Sequence, residues 1–227
     1  MKRPFTSVLL KAAILLPSAM AAWWFLLKRP SLWLLEKLAY IPLGVLVAPA
    51  GLPAIQVAPV NGDWTFNVSV NTYGRNPQTH EMMFVSSLEF TADQDSVALF
   101  ACGWFAYLAL AAASNALTRA QLNSVAKGLS IVTALNILSL AAFAYINGYG
   151  SVINTPGGGE YLWLLKYIYH LIYLVAPFAG PFAVALLLHQ PWRDCFGFLA
   201  EPSTRPSSRP TPRREPPPSP RTSPTAR

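Results

Sequence analysis

Cys102, Asn136, Lys166 and His170 are polar residues set in otherwise apolar stretches, and they are the side chains with chemistry to offer. A cysteine becomes a nucleophile only when a neighbouring cation or base lowers its pKa. Cys102 stands beside Gly103 with no such neighbour in sequence, so it reads as a small packing residue. His170 follows Lys166 by one helical turn, with Tyr169 and Tyr173 nearby and Pro177 and Pro181 beyond. An ionisable residue in an apolar span is a functional candidate by default. The competing reading has Lys166 snorkelling outward and His170 hydrogen-bonding across a bundle. Asn136 falls at helical spacing with Ser130, Thr133 and Ser139, a polar stripe of the kind that joins helices. His80 is a loop histidine without a visible partner. The only other cysteine is Cys195, no CxxC spacing occurs, and no catalytic set, metal or cofactor is expected.

The stretches that must position these residues are Phe5–Leu27, Ser96–Leu117, Gly128–Asn147 and Tyr161–Leu188. Each is long enough, at about 1.5 Å per residue, to cross a hydrocarbon core about 30 Å thick. The sequence predicts a mostly α membrane protein with about four transmembrane helices. The chain has 227 residues, is 53% hydrophobic and only 12% charged, outside the usual composition of a soluble domain. Lys2 and Arg3 before the first stretch, Arg119 and Lys127 between the second and third, and Arg193 after the fourth would all lie on one side. That side is then the cytoplasm, with both termini in it and the Tyr149–Gly159 loop outside. Cys102 and Cys195 would sit near opposite faces and not pair. His189 and Trp192 belong to the cytoplasmic interface.

The first stretch, residues 1–29, is read as an uncleaved anchor. Ala19-Met20-Ala21 also fits a signal cleavage site, but apolar residues continue through Trp23 and Trp24. Residues 30–54 are apolar but carry Glu36, Lys37 and, beyond Pro30 at the start, Pro42, Pro49 and Pro53. Trp33, Leu34, Leu38 and Ile41 share one side there, which predicts a helix lying on the outer leaflet rather than a fifth span.

Residues 55–94 change period. Trp64, Phe66, Val68 and Val70 alternate with Thr65, Asn67, Ser69 and Asn71, a half-buried strand. Asn61-Gly62 predicts a tight hairpin back to Ile55-Gln56-Val57-Ala58, and Met82–Phe90 supplies a third strand. This small extracytoplasmic antiparallel sheet has one apolar face and little local chain to cover it. Trp64, Phe66, Val68 and Val70 are therefore the expected partner-binding residues, against the membrane-side helix or another protein. Asp93, Asp95 and Ser96 would cap the next helix, opening a three-helix bundle over residues 95–195. Residues 196–227, nearly all Pro, Ser, Thr and Arg after Glu201, are expected to form a disordered cytoplasmic tail that holds much of the net charge of +7. A basic tail beside a membrane meets anionic lipid rather than nucleic acid.

The order of features resembles the exosortase H-associated membrane proteins of Gram-negative bacteria. The pattern is the N-terminal anchor, the Trp/Leu/Pro segment Ser31–Leu52, the strand region around Gly62-Asp63-Trp64, and three further spans, the last with His170 among tyrosines and prolines. The resemblance covers about residues 1–195. It implies an inner-membrane companion of a transpeptidase-like sorting enzyme, with membrane proteins and lipids as partners. An exosortase itself uses a membrane-embedded Cys, Arg and His. Here the third span reads Leu135-Asn136-Ile137-Leu138-Ser139 with no arginine, which separates this chain from the catalyst. The alternatives are a subunit of a transporter or other envelope complex, and a membrane-embedded cysteine enzyme using Cys102 and His170.

Overall fold

The computed structural model describes residues 4–75, 79, 81–152 and 162–196. The expected tail, His80 and most of the Tyr149–Gly159 loop lie outside the described residues. Helix α1 (Pro4–Ala22) passes through a five-residue π-helical turn, Trp23–Leu27, into α2 (Lys28–Leu46). Three strands follow: β1 (Ile55–Val57), β2 (Trp64–Arg75) and β3 (Met82–Ala92). Then come α3 (Gln94–Ala113), a short 3-10 turn at Arg119–Gln121, α4 (Leu122–Val152), α5 (Leu162–Leu188) and α6 (Gln190–Phe196). The fold is mostly helical with one small antiparallel sheet. Among the described residues three helical segments are long and apolar enough to cross a membrane: Ser7–Leu46, Gln94–Ala113 and Arg119–Gly148. The fourth expected span coincides with α5, of which Ala179–Leu188 is the described apolar portion. Its helix runs through both Pro177 and Pro181.

Helix α3 is the axis of the bundle and packs on α1, α4 and α5, while α6 folds back onto α1 and α5. Its sequence explains this position. Ala98, Ala101, Gly103, Ala106, Ala109, Ala111 and Ala113 are buried, and small side chains let neighbouring helices approach closely. Its start is fixed by Asp93, whose side chain accepts from the Ser96 backbone N–H at 3.3 Å and from the Ser96 hydroxyl. The Ser96 hydrogen bond holds the Asp93 carboxyl below the usual carboxylate range. At the other end Asn115 adopts φ +55°, and the Asn115 and Ala116 amides bond back to the Ala112 and Ala111 carbonyls at 2.9 Å each. That is a Schellman-type stop, with asparagine tolerating the left-handed position.

Helices α1 and α3 are antiparallel, and two polar contacts mark the ends of their pairing. Lys11 Nζ donates to Asn115 Oδ1 at 3.1 Å at one end, and Lys28 Nζ pairs with Asp95 at the other. The joint between α1 and α2 is held by Trp23, whose indole N–H donates to Ser31 Oγ at 3.1 Å while its ring lies against Phe105. Residues 30–54 therefore do not form a separate element at their start; the helix continues from α1. Ser31, Leu32, Leu35, Ala39 and Leu43 pack α2 onto the protein. Trp33, Leu34, Leu38 and Ile41, the apolar side read from the sequence, are exposed.

The sheet order is β1-β2-β3, antiparallel throughout. Ile55 pairs with Phe66 and Val57 with Trp64; Trp64 pairs with Ala92 and Val68 with Leu88. The expected two-residue turn at Asn61-Gly62 is corrected. The Ala58 amide bonds to the Asp63 carbonyl at 2.9 Å and the Gly62 amide to the Ala58 carbonyl at 3.0 Å, so the loop is longer. Gly62 alone of the pair has positive φ, +76°, which rules out a turn needing it at both positions. A bulge between Ser69 and Thr72, with Asn71 at φ +42°, shifts the register in the distal half of the hairpin.

Candidate functional site

The four residues expected to bind a partner lie inside the chain. Trp64 is 1% exposed, Phe66 1%, Val68 0% and Val70 4%. Their burial has a specific cause. Helix α4 runs to Val152, past the Asn147 limit of the apolar stretch, and its end covers the sheet. Phe143 meets Phe66, Phe90 and Phe100 edge-on, at centroid distances of 5.6, 6.0 and 5.5 Å. Gly148 permits the closest approach: a Cβ there would lie 2.9 Å from Val68 Cβ. One residue of the second face is covered as well. Asn67 is buried and donates to the Pro53 carbonyl at 2.9 Å.

Of the polar residues expected within the spans, Asn136 is the one whose side chain the structure describes. Lys166, His170 and Tyr173 lie on α5, but their side chains fall outside the described residues. Asn136 is buried where α3, α4 and α5 meet. Its Oδ1 lies 2.9 Å, and the Pro177 carbonyl 3.4 Å, from the position a Cβ on Gly103 would take. Asn136 Nδ2 has no hydrogen-bond partner among the described residues. One turn earlier Thr133 accepts from the Trp104 indole N–H at 2.9 Å, so the polar stripe ties α4 to α3 through Thr133. Ser130 instead bonds its own helix at Ala126. Cys102 is 1% exposed, a free thiol donating to the Leu99 carbonyl at 3.0 Å.

A second buried cluster was missed as a unit. Tyr107 Oη lies 3.0 Å from His189 Nε2, and the Trp192 indole N–H donates to the Leu110 carbonyl at 3.0 Å. Gly128 makes room for the phenol; a Cβ there would fall 1.9 Å from Tyr107 Oη. Burial pushes the His189 imidazole below its usual pKa. The sequence signal was limited to His189 and Trp192 as residues of one interface, because each has its partner 82 residues away.

At the sheet end of the bundle an open cleft of about 410 Å³ lies between α2 and the β1–β2 loop. Arg29, Trp33 and Glu36 line one wall, Asn61 and Gly62 the other, with Trp64 and Gln94 behind. Arg29 and Glu36 are two turns apart on α2, so the cleft offers a cation and an anion with an indole between them. Glu36 already accepts from Lys37 at 3.1 Å. Such a set suits a polar, overall neutral group, and it carries no nucleophile–base pair. Among the described residues no cluster of three metal-ligating side chains occurs.

Beside the exposed side of α2, the described apolar surface includes two further groups. Leu10, Ile14, Phe25, Leu26, Ile131, Leu138 and Leu187 face outward around the bundle. Tyr73, Met82, Met83 and Phe84 are exposed at the distal end of the β2–β3 hairpin, where Tyr73 meets Phe84 edge-on at 5.4 Å. Comparison with protein-family models, curated proteins and solved structures gave no match for this chain.

Proposed function

We propose that this chain is a polytopic inner-membrane protein that holds a small sheet-and-helix head on the extracytoplasmic surface, with both termini in the cytoplasm. It acts without catalysis, as a companion that docks other envelope proteins. The observation that carries the membrane reading is the pair of polar contacts between α3 and the continuous α1–α2 helix, one from α1 and one from the first residue of α2. Lys11–Asn115 and Lys28–Asp95 are 17 residues apart, about 26 Å of helix, close to the thickness of a hydrocarbon core. Between them the outward surface is apolar, which in water would be a liability and in lipid is the required state. Lys28 also lies 4.4 Å over the Trp24 ring, an arrangement suited to the membrane interface.

A companion of an exosortase-type sorting enzyme is the most specific form of this proposal and rests on the order of features alone. The non-catalytic reading is supported by the Cys102 thiol, which is buried and donates to its own helix. The partner surface moves from the buried Trp64 face to the exposed distal hairpin. Photo-crosslinkers placed at Tyr73 and Phe84 should capture one defined membrane protein, while the same group at Arg119 should not. Equal capture from all three positions would overturn the companion reading.

A further inference from the structure

The hydrogen-bond pattern of the sheet leaves one edge open. The Asn67 amide bonds to the Ala54 carbonyl and the Ala58 amide to the Asp63 carbonyl, so odd-numbered residues of β2 turn their backbone groups toward β1. Even-numbered residues then face β3, and with the register Trp64↔Ala92, Phe66↔Phe90 and Val68↔Leu88 the inward positions of β3 are 88, 90 and 92. Alternation along the strand turns Met83, Val85, Ser87, Glu89 and Thr91 to the outer edge. No hydrogen bond from these backbone groups to another element occurs among the described residues. β3 is 11 residues long and carries neither proline nor lysine, and Glu89 is its one charge, so the edge is only lightly blunted. The bulge that bends the hairpin lies on β2, not on this edge.

We infer that the outer edge of β3 is a strand-addition site that takes an extended, proline-poor segment of another polypeptide. A row of alternating backbone donors and acceptors is complementary to another extended backbone and to little else. The side chains narrow the choice. Leu88 and Phe90 share the face turned toward the bundle, Phe84 continues that face into the exposed distal end, and Ser87, Glu89 and Thr91 lie on the opposite one. An added strand continues both faces, so it alternates apolar and polar residues. A second copy of β3 fits poorly, because antiparallel self-pairing sets Met82–Phe84 against Glu89–Thr91. The chain's own tail fits poorly as well, since its prolines cannot donate to a ladder. The inference deepens the companion reading and rests on it for the identity of the natural segment, but the edge can be tested on its own.

The full chain, purified in nanodiscs, is titrated with a fluorescent eight-residue peptide alternating valine and threonine, and with the same peptide N-methylated at every second amide. Amide exchange of β3 is followed by mass spectrometry. The expected result is saturable binding of the first peptide, protection of the Ser87, Glu89 and Thr91 amides on binding, and at least tenfold weaker binding of the methylated form. Ser87→Pro removes an outward N–H and should lower affinity tenfold or more with little change in thermal midpoint; Leu88→Pro, an inward position, should destabilise the sheet. Binding that ignores N-methylation or Ser87→Pro would overturn the inference. So would outer-edge amides already protected in the free protein, and protection that rises with protein concentration alone would show self-pairing instead. Because no step uses membrane orientation, failure here leaves the topology standing, and failure of the topology leaves the edge standing.

Discussion

Truncating Phe66 to alanine probes the link between the sheet and the bundle. The Phe66 ring is fully buried, stacked on Phe90 at 5.1 Å and on Trp64 at 6.1 Å, and edge-on to Phe143 at 5.6 Å. Removing a buried phenylalanine ring costs about 3–5 kcal/mol, a hundredfold or more in the folding equilibrium. The Phe66–Phe143 pair should account for about 0.5–1.5 kcal/mol as a coupling in a double-mutant cycle. Asn67→Ala strands the Pro53 carbonyl and should cost about 1–3 kcal/mol. Thr65→Ala loses an exposed 3.5 Å hydroxyl contact to Thr91 and should stay within about 0.5 kcal/mol. Denaturation in mild detergent gives the stabilities, and amide exchange over residues 64–92 reports where structure is lost. The reasoning is refuted if Thr65→Ala proves as damaging as Phe66→Ala, or if Phe66→Ala and Phe143→Ala are additive.

Three further outcomes follow from the lower end of the bundle and from α4. Gly128→Ala places a methyl inside the Tyr107 phenol and should abolish stable folding, measured as loss of monodisperse protein; adding Tyr107→Ala should restore much of it. His189 is depressed by burial, so the unfolded chain takes the proton first. Its contribution to stability is complete above the unfolded pKa of about 6.5 and fades as pH falls toward and through the folded value. The thermal midpoint should drop between pH 7.5 and 5.5, and drop less in His189→Gln; an identical drop in the variant would remove His189 from the account. Gly148→Leu should separate α4 from Val68 and speed proteolysis of the sheet, while Gly44→Leu, with open space around it, should not.

What the sequence made legible was set by local pattern. The Trp64–Val70 alternation marked the buried face, and Asp93 with Ser96 marked the start of α3, because both signals lie within a few residues. The cover over that face was not legible. Helix α4 outruns its apolar stretch by using Gly148 as a contact, and a glycine near a helix end reads as a stop. The continuity of α1 into α2 was hidden by Lys28, Arg29 and Pro30, which look like a boundary; the Trp23–Ser31 bond and the Lys28–Asp95 pair bridge it. The Tyr107–His189 contact joins distant helices and leaves no period in either. The cleft beside Arg29 and Glu36 likewise needs the β1–β2 loop, whose turn was misjudged because only Gly62 takes the positive φ.

The central claim is that the sheet end of the bundle lies outside the cell membrane and the Arg119 end lies within the cytoplasm. Single cysteines at Val60, which is 97% exposed, at Tyr73 and at Arg119, in a Cys102→Ala, Cys195→Ala background, test it with a membrane-impermeant maleimide. In intact spheroplasts Val60→Cys and Tyr73→Cys should label, and Arg119→Cys should label only after the membrane is opened. Protection of Val60→Cys together with labelling of Arg119→Cys in intact spheroplasts would invert the topology, and equal labelling of all three would remove the membrane-spanning reading altogether.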